Sequence, residues 1–222
     1  MVIALSSDID WAPKETVNYF LDILDKFNAK ITIFATHEID YSTHEIAIHP
    51  NTISGKNYSV AISELVKLFP NAKGCRMHGL QVWSRLLIDL PKFGISYDSS
   101  YYIPSNENKP FQIFPNIVEI PIFWEDDLAM RNNSLKIDKL KIKEQENSQY
   151  LFLYNIHPIH VFMNTYDLKF YELWKSDYQN IQKLEKKRNL TKYGAENALF
   201  DILENIDTKK LSTLSSLKSF YS

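Results

Sequence analysis

Short apolar runs that end in polar residues recur along the chain, with helical patterns between several of them. The first run, Met1-Val2-Ile3-Ala4-Leu5, begins at residue 1, and residues 2–7 read as a buried strand. Pro13 then opens a helical pattern in which Val17, Phe20, Leu21, Leu24 and Phe27 share one face. Residues 29–36, rich in β-branched side chains, predict a strand ending at His37-Glu38, and 45–48 predict another ending at His49-Pro50-Asn51. A helix is expected over 59–69, a short strand over 74–78 and an amphipathic helix over 80–91, carrying Leu80, Trp83, Leu86, Leu87 and Leu90. Strands follow at 95–99 and at 118–124, the latter running into Glu125-Asp126-Asp127. The stretch 131–148 is charged and poorly periodic and reads as a connecting segment without an element. Residues 150–156 give the strongest late strand, ending in His157-Pro158-Ile159-His160. Helical patterns run from 166 to about 188 and again over 195–206.

This order is the βα grammar of a parallel sheet or barrel. About seven strands fit, which predicts an α/β fold built as a distorted or incomplete (β/α) barrel of parallel strands. No internal repeat or interdomain linker interrupts the chain, so residues 1–222 are expected to form one domain. The C-terminal helices, about 166–222, carry apolar residues (Leu168, Tyr171, Leu173, Trp174) that need a surface, and the barrel exterior is the expected one.

Composition narrows the partners. The chain has 222 residues, 45% of them hydrophobic, enough for a sizeable core. With 25 basic and 27 acidic residues the net charge is −2, which gives no reason to expect nucleic acid or an anionic membrane as partner. No apolar run approaches membrane length and no signal peptide precedes the first strand, so a cytoplasmic protein without membrane insertion is expected. The single cysteine, Cys75, falls in a predicted strand and reads as a buried, inert thiol. Aromatic residues make up 14% of the chain; Trp11, Trp83 and Trp124 are expected in the core, with Trp124 beside the candidate site.

Candidate chemistry gathers at strand ends. Asp8 and Asp10, two apart in an extended chain, point to the same side at the end of the first strand. Taken alone, the pair reads either as a metal and acid–base site or as an Asp-rich loop in which Asp10 caps a helix. The six histidines lie between 37 and 160. His37, His49, His78 and His157 stand at predicted strand C-termini, which converge on one face of a barrel.

The motifs Ser7-Asp8-Ile9-Asp10-Trp11, His44-Glu45-Ile46-Ala47-Ile48-His49-Pro50-Asn51, Arg76-Met77-His78-Gly79, Trp124-Glu125-Asp126-Asp127 and His157-Pro158-Ile159-His160 stand in the order of a known family. Over residues 1 to about 165 the chain resembles the polysaccharide deacetylases, the NodB-homology carbohydrate esterases. Ile-His-Pro-Asn, Phe-Trp-Glu-Asp-Asp and His-Pro-Ile-His-Val-Phe resemble the WbmS-like branch, which is associated with O-antigen and capsule gene clusters. The resemblance implies removal of an acetyl group from an N-acetylated sugar by a divalent metal in a distorted barrel. It implies Asp8 as general base, Asp10 and His49 as metal ligands, and Arg76 as the group that orients the base. It implies His157 as general acid, held by Asp126 rather than Glu125, and the Gly79 backbone N–H as oxyanion donor. Trp124 is a candidate for contact with the sugar.

One departure stands out. The family's second metal-binding histidine follows the first by four residues, and that position here is Ile53, which cannot ligate. His44 has the wrong parity and is expected on the surface or in a loop. His78 is the expected third ligand: if its strand extends through it, it points to the same side as Arg76. His37 is the runner-up. Such an Asp-His-His set suits zinc, with nickel, cobalt or manganese as alternatives. The expected function is metal-dependent deacetylation of an N-acetylated sugar, nucleotide sugar or glycan precursor. The alternative, which Ile53 favours, is a non-catalytic binding or scaffolding member of the fold.

Overall fold

The regular runs of β-branched and aliphatic residues become strands and the periodic segments between them become helices. In the computed structural model, which describes residues 2–39, 43–53 and 55–218, the chain begins with β1 (Val2–Asp8), α1 (Lys14–Lys26), β2 (Thr32–Ala35), β3 (Glu45–Ile48), α2 (Tyr58–Leu68) and β4 (Gly74–Cys75). It continues through α3 (Ser84–Asp89), β5 (Tyr97–Asp98), β6 (Phe111–Phe114), β7 (Ile117–Glu119), β8 (Trp124–Glu125), α4 (Asp126–Arg131) and α5 (Lys139–Gln145). The last third carries β9 (Leu151–Asn155), α6 (Pro158–Met163), α7 (Leu168–Trp174), α8 (Ile181–Lys187), α9 (Ala195–Asn205) and α10 (Leu214–Lys218).

The nine strands form one sheet in the order β6-β7-β5-β4-β3-β2-β1-β9-β8, curled into a half-barrel. All pairings between named strands are parallel except β6 with β7. The expected barrel-type fold is present. The extra strands are short: 118–124 divides into β7 and β8, and β6 is an edge strand whose half-exposed residues carry no clear apolar pattern.

Strand alternation sorts the core into two sides. Ile3 and Leu5 of β1, Ile33 and Ala35 of β2, and Phe152 and Tyr154 of β9 pack with α1, α6 and α9. Ala4, Phe34, Ala47, Leu151 and Leu153 face the other way, joined by Tyr97, Ile120, Ile122 and the α10 residues Leu214 and Leu217. The α10 segment is fastened where β2 and β3 begin: Leu214 N–H donates to Thr32 Oγ1 at 2.9 Å and Ser215 N–H to Glu45 Oε2 at 3.0 Å. Gly74 is needed where it stands, because a Cβ there would lie 2.0 Å from the Tyr97 ring.

Several expectations are corrected. The stretch 131–148 is not devoid of structure: Asp138 caps α5, whose Ile142 is buried. Its charged exposed face hid the helix from the periodicity. The helix expected over 80–91 starts only at Ser84, because residues 78–80 form a 3₁₀ turn. The pattern over 166–188 is broken into α7, a 3₁₀ turn at Lys175–Asp177, and α8. Trp174 is fully buried in the same cluster as Ile3 and Leu5, but Leu173 is exposed. Trp11 and Trp83 are not core residues either; both lie at the surface, and Trp124 is half-buried. Cys75 is buried, and its burial pushes the thiol well above the usual range, as an inert thiol requires.

Candidate active site

The C-terminal ends of β1, β3, β4, β8 and β9 bring Asp8, His49, Arg76, Asp126 and His157 to one end of the sheet. Asp10 reaches the same place by a route other than the expected one. Strand β1 ends at Asp8, and Ile9–Ala12 forms a tight turn closed by Ala12 N–H donating to Ile9 O at 2.6 Å. Asp10 and Trp11 sit in left-handed backbone, with φ of 38° and 56°. Non-glycine residues adopt that region at a cost, and such strain concentrates where a site needs it.

His78 also arrives by a modified route. Regular β4 pairing stops at Cys75, and His78 opens the 3₁₀ turn, so the strand does not extend through it. The parallel register nevertheless carries on: Arg76 N–H donates to Ile48 O at 3.0 Å and His78 N–H to Pro50 O at 2.9 Å. That continuation sets His78 beside His49. Asp10 Oδ1 lies 3.1 Å from His49 Nε2 and 3.0 Å from His78 Nδ1, and the two nitrogens are 3.3 Å apart. Burial works against ionisation of Asp10, but the bonds to His49 and His78 outweigh it and hold the carboxyl well below its usual range. The edge of the Trp11 ring packs on His78 at 5.2 Å between centroids.

Beside this triangle lies a second, buried set. Arg76 is fully buried and packs on the Phe34 ring at 3.9 Å. Its Nη1 donates to Asp8 Oδ1 at 2.7 Å, Asn155 Oδ1 at 2.6 Å and Ser6 Oγ at 3.1 Å, while Nε and Nη2 donate to Ser99 O and Oγ, each at 2.7 Å. Asn155 Nδ2 donates to the other Asp8 oxygen at 3.1 Å. Burial alone would raise Asp8, but the nearby charge of Arg76, with His49 and His157, holds it below the usual range.

His157 is clamped by Asp126, with its Nδ1 2.6 Å from Oδ1 and its backbone N–H donating to Oδ2 at 2.9 Å. The far nitrogen, Nε2, lies 3.6 Å from Asp10 Oδ2 and 3.9 Å from Asp8 Oδ2. Burial opposes the imidazolium, yet Asp126, Asp127 and Asp10 push it well above its usual range. A neighbouring pair extends the network: His160 Nε2 is 2.8 Å from Asp127 and its Nδ1 is 3.1 Å from Thr165 Oγ1.

Among the described residues three groups have the composition of a cation site, and one fits. Asp8, Glu125 and His157 lie close together, but Asp8 is already paired with Arg76. Asp126, Asp127 and His157 lie close together, but their charges are taken up in the two His–Asp pairs. Asp10, His49 and His78 offer one carboxylate oxygen and two imidazole nitrogens whose spacing matches the edges, about 3.3 Å, of a tetrahedron with zinc-type bond lengths. His37 stands apart, its Nδ1 on Thr36 Oγ1 at 2.9 Å, and His44 Nδ1 accepts from Ile31 N–H at 3.4 Å, just before β2 and β3 begin. Ile53 is exposed and lies beside Gly79, whose φ of 68° turns the chain next to His78.

Ser6 and Asn155 were missed as site residues, and Glu125, weighed as the partner of His157 and set aside for Asp126, also lies in the site. Ser6 and Asn155 are register partners on β1 and β9, and each lies two residues from a site residue, Asp8 or His157; that parity was the available signal. Glu125 Oε1 is 4.0 Å from His157 Nε2, Oε2 is buried without a partner, and burial pushes the carboxyl up to about 8. Its folded form therefore holds a proton that the unfolded chain releases near 4.5. The resulting penalty on folding is absent below the unfolded value, grows as pH rises and is complete above about 8. Thermal melts should thus show Glu125→Gln gaining stability over the wild type as pH rises through this window; a pH-independent difference would contradict it.

The family model of the WbmS-like polysaccharide deacetylases matches residues 5–175. Among solved structures, a protein of Bordetella bronchiseptica assigned to polysaccharide deacetylation in O-antigen biosynthesis superposes with a TM-score of 0.81 at 25% identity, over 92% of this chain and 90% of that one. A protein of Mycobacterium smegmatis assigned as a polysaccharide deacetylase shares the fold at 16% identity, TM-score 0.54, over 96% of this chain and 92% of that one. An acetyl xylan esterase of Clostridium thermocellum, solved with a cobalt ion, shares it at 13% identity, TM-score 0.50, over 99% and 91%. No functionally curated protein matches the chain in sequence. With most of its length under that family model and its strand ends carrying the family's motifs in order, the chain belongs to the WbmS-like polysaccharide deacetylases.

Proposed function

We propose that this chain is a metal-dependent N-deacetylase acting on an N-acetylated sugar, nucleotide sugar or glycan precursor of a surface polysaccharide, O-antigen or capsule. The observation that carries the reading is the convergence of Asp10, His49 and His78 within 3.3 Å of one another, next to the separate Asp8–Arg76 and His157–Asp126 pairs. The biosynthetic setting is drawn from the Bordetella protein.

In this reading Asp10, His49 and His78 hold the ion. Zinc suits the donors best, and nickel, cobalt and manganese are compatible. A divalent ion there would supply Lewis acidity, which acidifies water and polarises a carbonyl. Asp8, kept ionised by Arg76, takes the proton from the attacking water as its oxygen bonds to the acetyl carbon. The Gly79 N–H meets the oxyanion that forms. His157 Nε2 gives its proton to the sugar nitrogen as the C–N bond breaks, while Asp126 fixes the Nδ1–H tautomer; acetate and the free amine leave. Trp124, half-buried with its ring 5.9 Å from that of Tyr154, is the aromatic side chain proposed to contact the sugar. The protein works in the cytoplasm, and no described helix is long and apolar enough to cross a membrane.

The test is acetate release from a panel of N-acetylated sugars and nucleotide sugars by metal-free and zinc-restored protein. Release only after zinc addition is expected. Tight zinc-independent sugar binding without release would favour the scaffolding alternative, for which Ile53 in place of a family histidine speaks. The reading also takes residues 1–222 as one domain, supported by the shared core of Trp174, Leu184 and Leu199 with Ile3 and Leu5. Limited proteolysis should yield no stable fragment from 166 to 222, and isolation of one that folds separately would refute this.

A further inference from the structure

The turn that carries Asp10 is held from a part of the chain 168 residues away. Tyr178 Oη donates to Asp10 O at 3.0 Å, and Gln179 Nε2 donates to Trp11 O at 2.8 Å. These are the carbonyls of the two consecutive left-handed residues, with φ of 38° and 56°. Apart from these bonds the backbone of the turn has Ile9 N–H on Phe34 O at 3.2 Å, Ala12 N–H on Ile9 O, and Trp11 N–H on Thr36 Oγ1 at 3.0 Å. None of these contacts touches the carbonyl of Asp10 or of Trp11. Tyr178 and Gln179 lie between the 3₁₀ turn at Lys175–Asp177 and α8, where the helical pattern breaks. The break is itself fastened, since Asp177 accepts from Lys183 Nζ at 2.8 Å and Lys187 Nζ at 2.6 Å. Tyr178 further packs against the buried Trp174 ring at 6.3 Å. Both residues lie beyond residue 175, where the family match stops.

We propose that Tyr178 and Gln179 are positioning residues for the metal centre: a brace from the C-terminal helices that holds Asp10 in its strained backbone conformation, with Oδ1 aimed between His49 and His78. Left-handed backbone at a non-glycine residue relaxes unless its surroundings over-determine it. Rotation of the Asp10 peptide would carry Oδ1 away from both nitrogens. The inference rests on the reading that Asp10, His49 and His78 hold a divalent ion.

The experiment is zinc affinity of the full chain, measured by competition with a chromophoric chelator, for the wild type, Tyr178→Phe, Gln179→Ala and the double variant. Tyr193→Phe is the control. It removes a hydroxyl from the same C-terminal region, one that donates to Asp201 Oδ2 at 2.8 Å and accepts from Ile137 N–H at 3.1 Å, without touching the turn. Partners of this kind, one step removed from the metal, typically contribute about 10–100-fold in affinity, and Tyr178→Phe and the double variant should weaken zinc binding to that extent. Tyr193→Phe should leave zinc affinity unchanged even if it lowers thermal stability. Gln179 is exposed, so Gln179→Ala keeps the test open if Tyr178→Phe fails to fold; it should weaken zinc binding alone, by less than the double variant. Wild-type affinity in all three variants would overturn the brace and leave the metal reading standing, as would equal weakening by Tyr193→Phe. A wild type that binds none of zinc, nickel, cobalt and manganese would overturn the metal reading and the brace with it.

Discussion

His78→Ala is expected to leave the purified protein with almost no bound metal, while His37→Ala retains about one ion per chain, since catalytic zinc sites commonly rest on three protein ligands. Removing His78 leaves Asp10 and His49, one oxygen and one nitrogen 3.1 Å apart. His37 has no part in that triangle; its ring is engaged by Thr36, one residue away. Metal analysis of the two variants after identical purification decides between them. Full metal in His78→Ala with loss in His37→Ala would move the third ligand to β2's end and undo the reading of the triangle. The result also bears on Ile53. Its position does not have to be filled from the same loop, because the continued register of residues 76–78 beside 48–50 delivers a histidine from the next strand.

Asp8→Asn is expected to keep the metal and lose about 10²–10⁴-fold in turnover, the usual contribution of a positioned general base. Asp10→Asn should lose the metal instead. The division follows from the partners: one Asp8 oxygen faces Arg76 and the other accepts from Asn155, whereas Asp10 Oδ1 faces two imidazole nitrogens. Asp8→Asn carries a stability cost as well. Breaking a buried ion pair from one side typically costs about 3–5 kcal/mol, because the remaining charge stays buried, and Arg76 has no exposed surface. A lower melting temperature with intact metal content is therefore part of the expected result. Loss of metal in Asp8→Asn with retention in Asp10→Asn would reverse the two roles.

Most of the strand ends were legible because buried parallel strands read as short apolar runs and the residue after each run is polar. His49 and His157 could be located that way, and Asp126 beside Trp124 followed from its motif. Three features resisted the same approach. The left-handed turn at Asp10-Trp11 has no local signature, since no glycine or asparagine marks it and the bonds to its carbonyls come from Tyr178 and Gln179. The break at Lys175–Asn180 looked like continuous helix because Trp174, Tyr178 and Ile181 keep a helical spacing across it. Ser6 and Asn155, buried polar residues inside strands, contribute to the Arg76 network only through tertiary pairing. The barrel was thus readable from periodicity, and the strand ends that the fold gathers into the candidate site were readable too; the contacts that aim each side chain were not.

In the proposed reaction Asp10, His49 and His78 form the metal centre while Asp8 and His157 remain free for proton transfer. An anomalous difference map from crystals of zinc-loaded protein tests it most directly. One strong peak within bonding distance of Asp10 Oδ1, His49 Nε2 and His78 Nδ1, with Asp8 still paired to Arg76, is the predicted result. A peak between Asp8, Glu125 and His157, or no peak at either place, would contradict it.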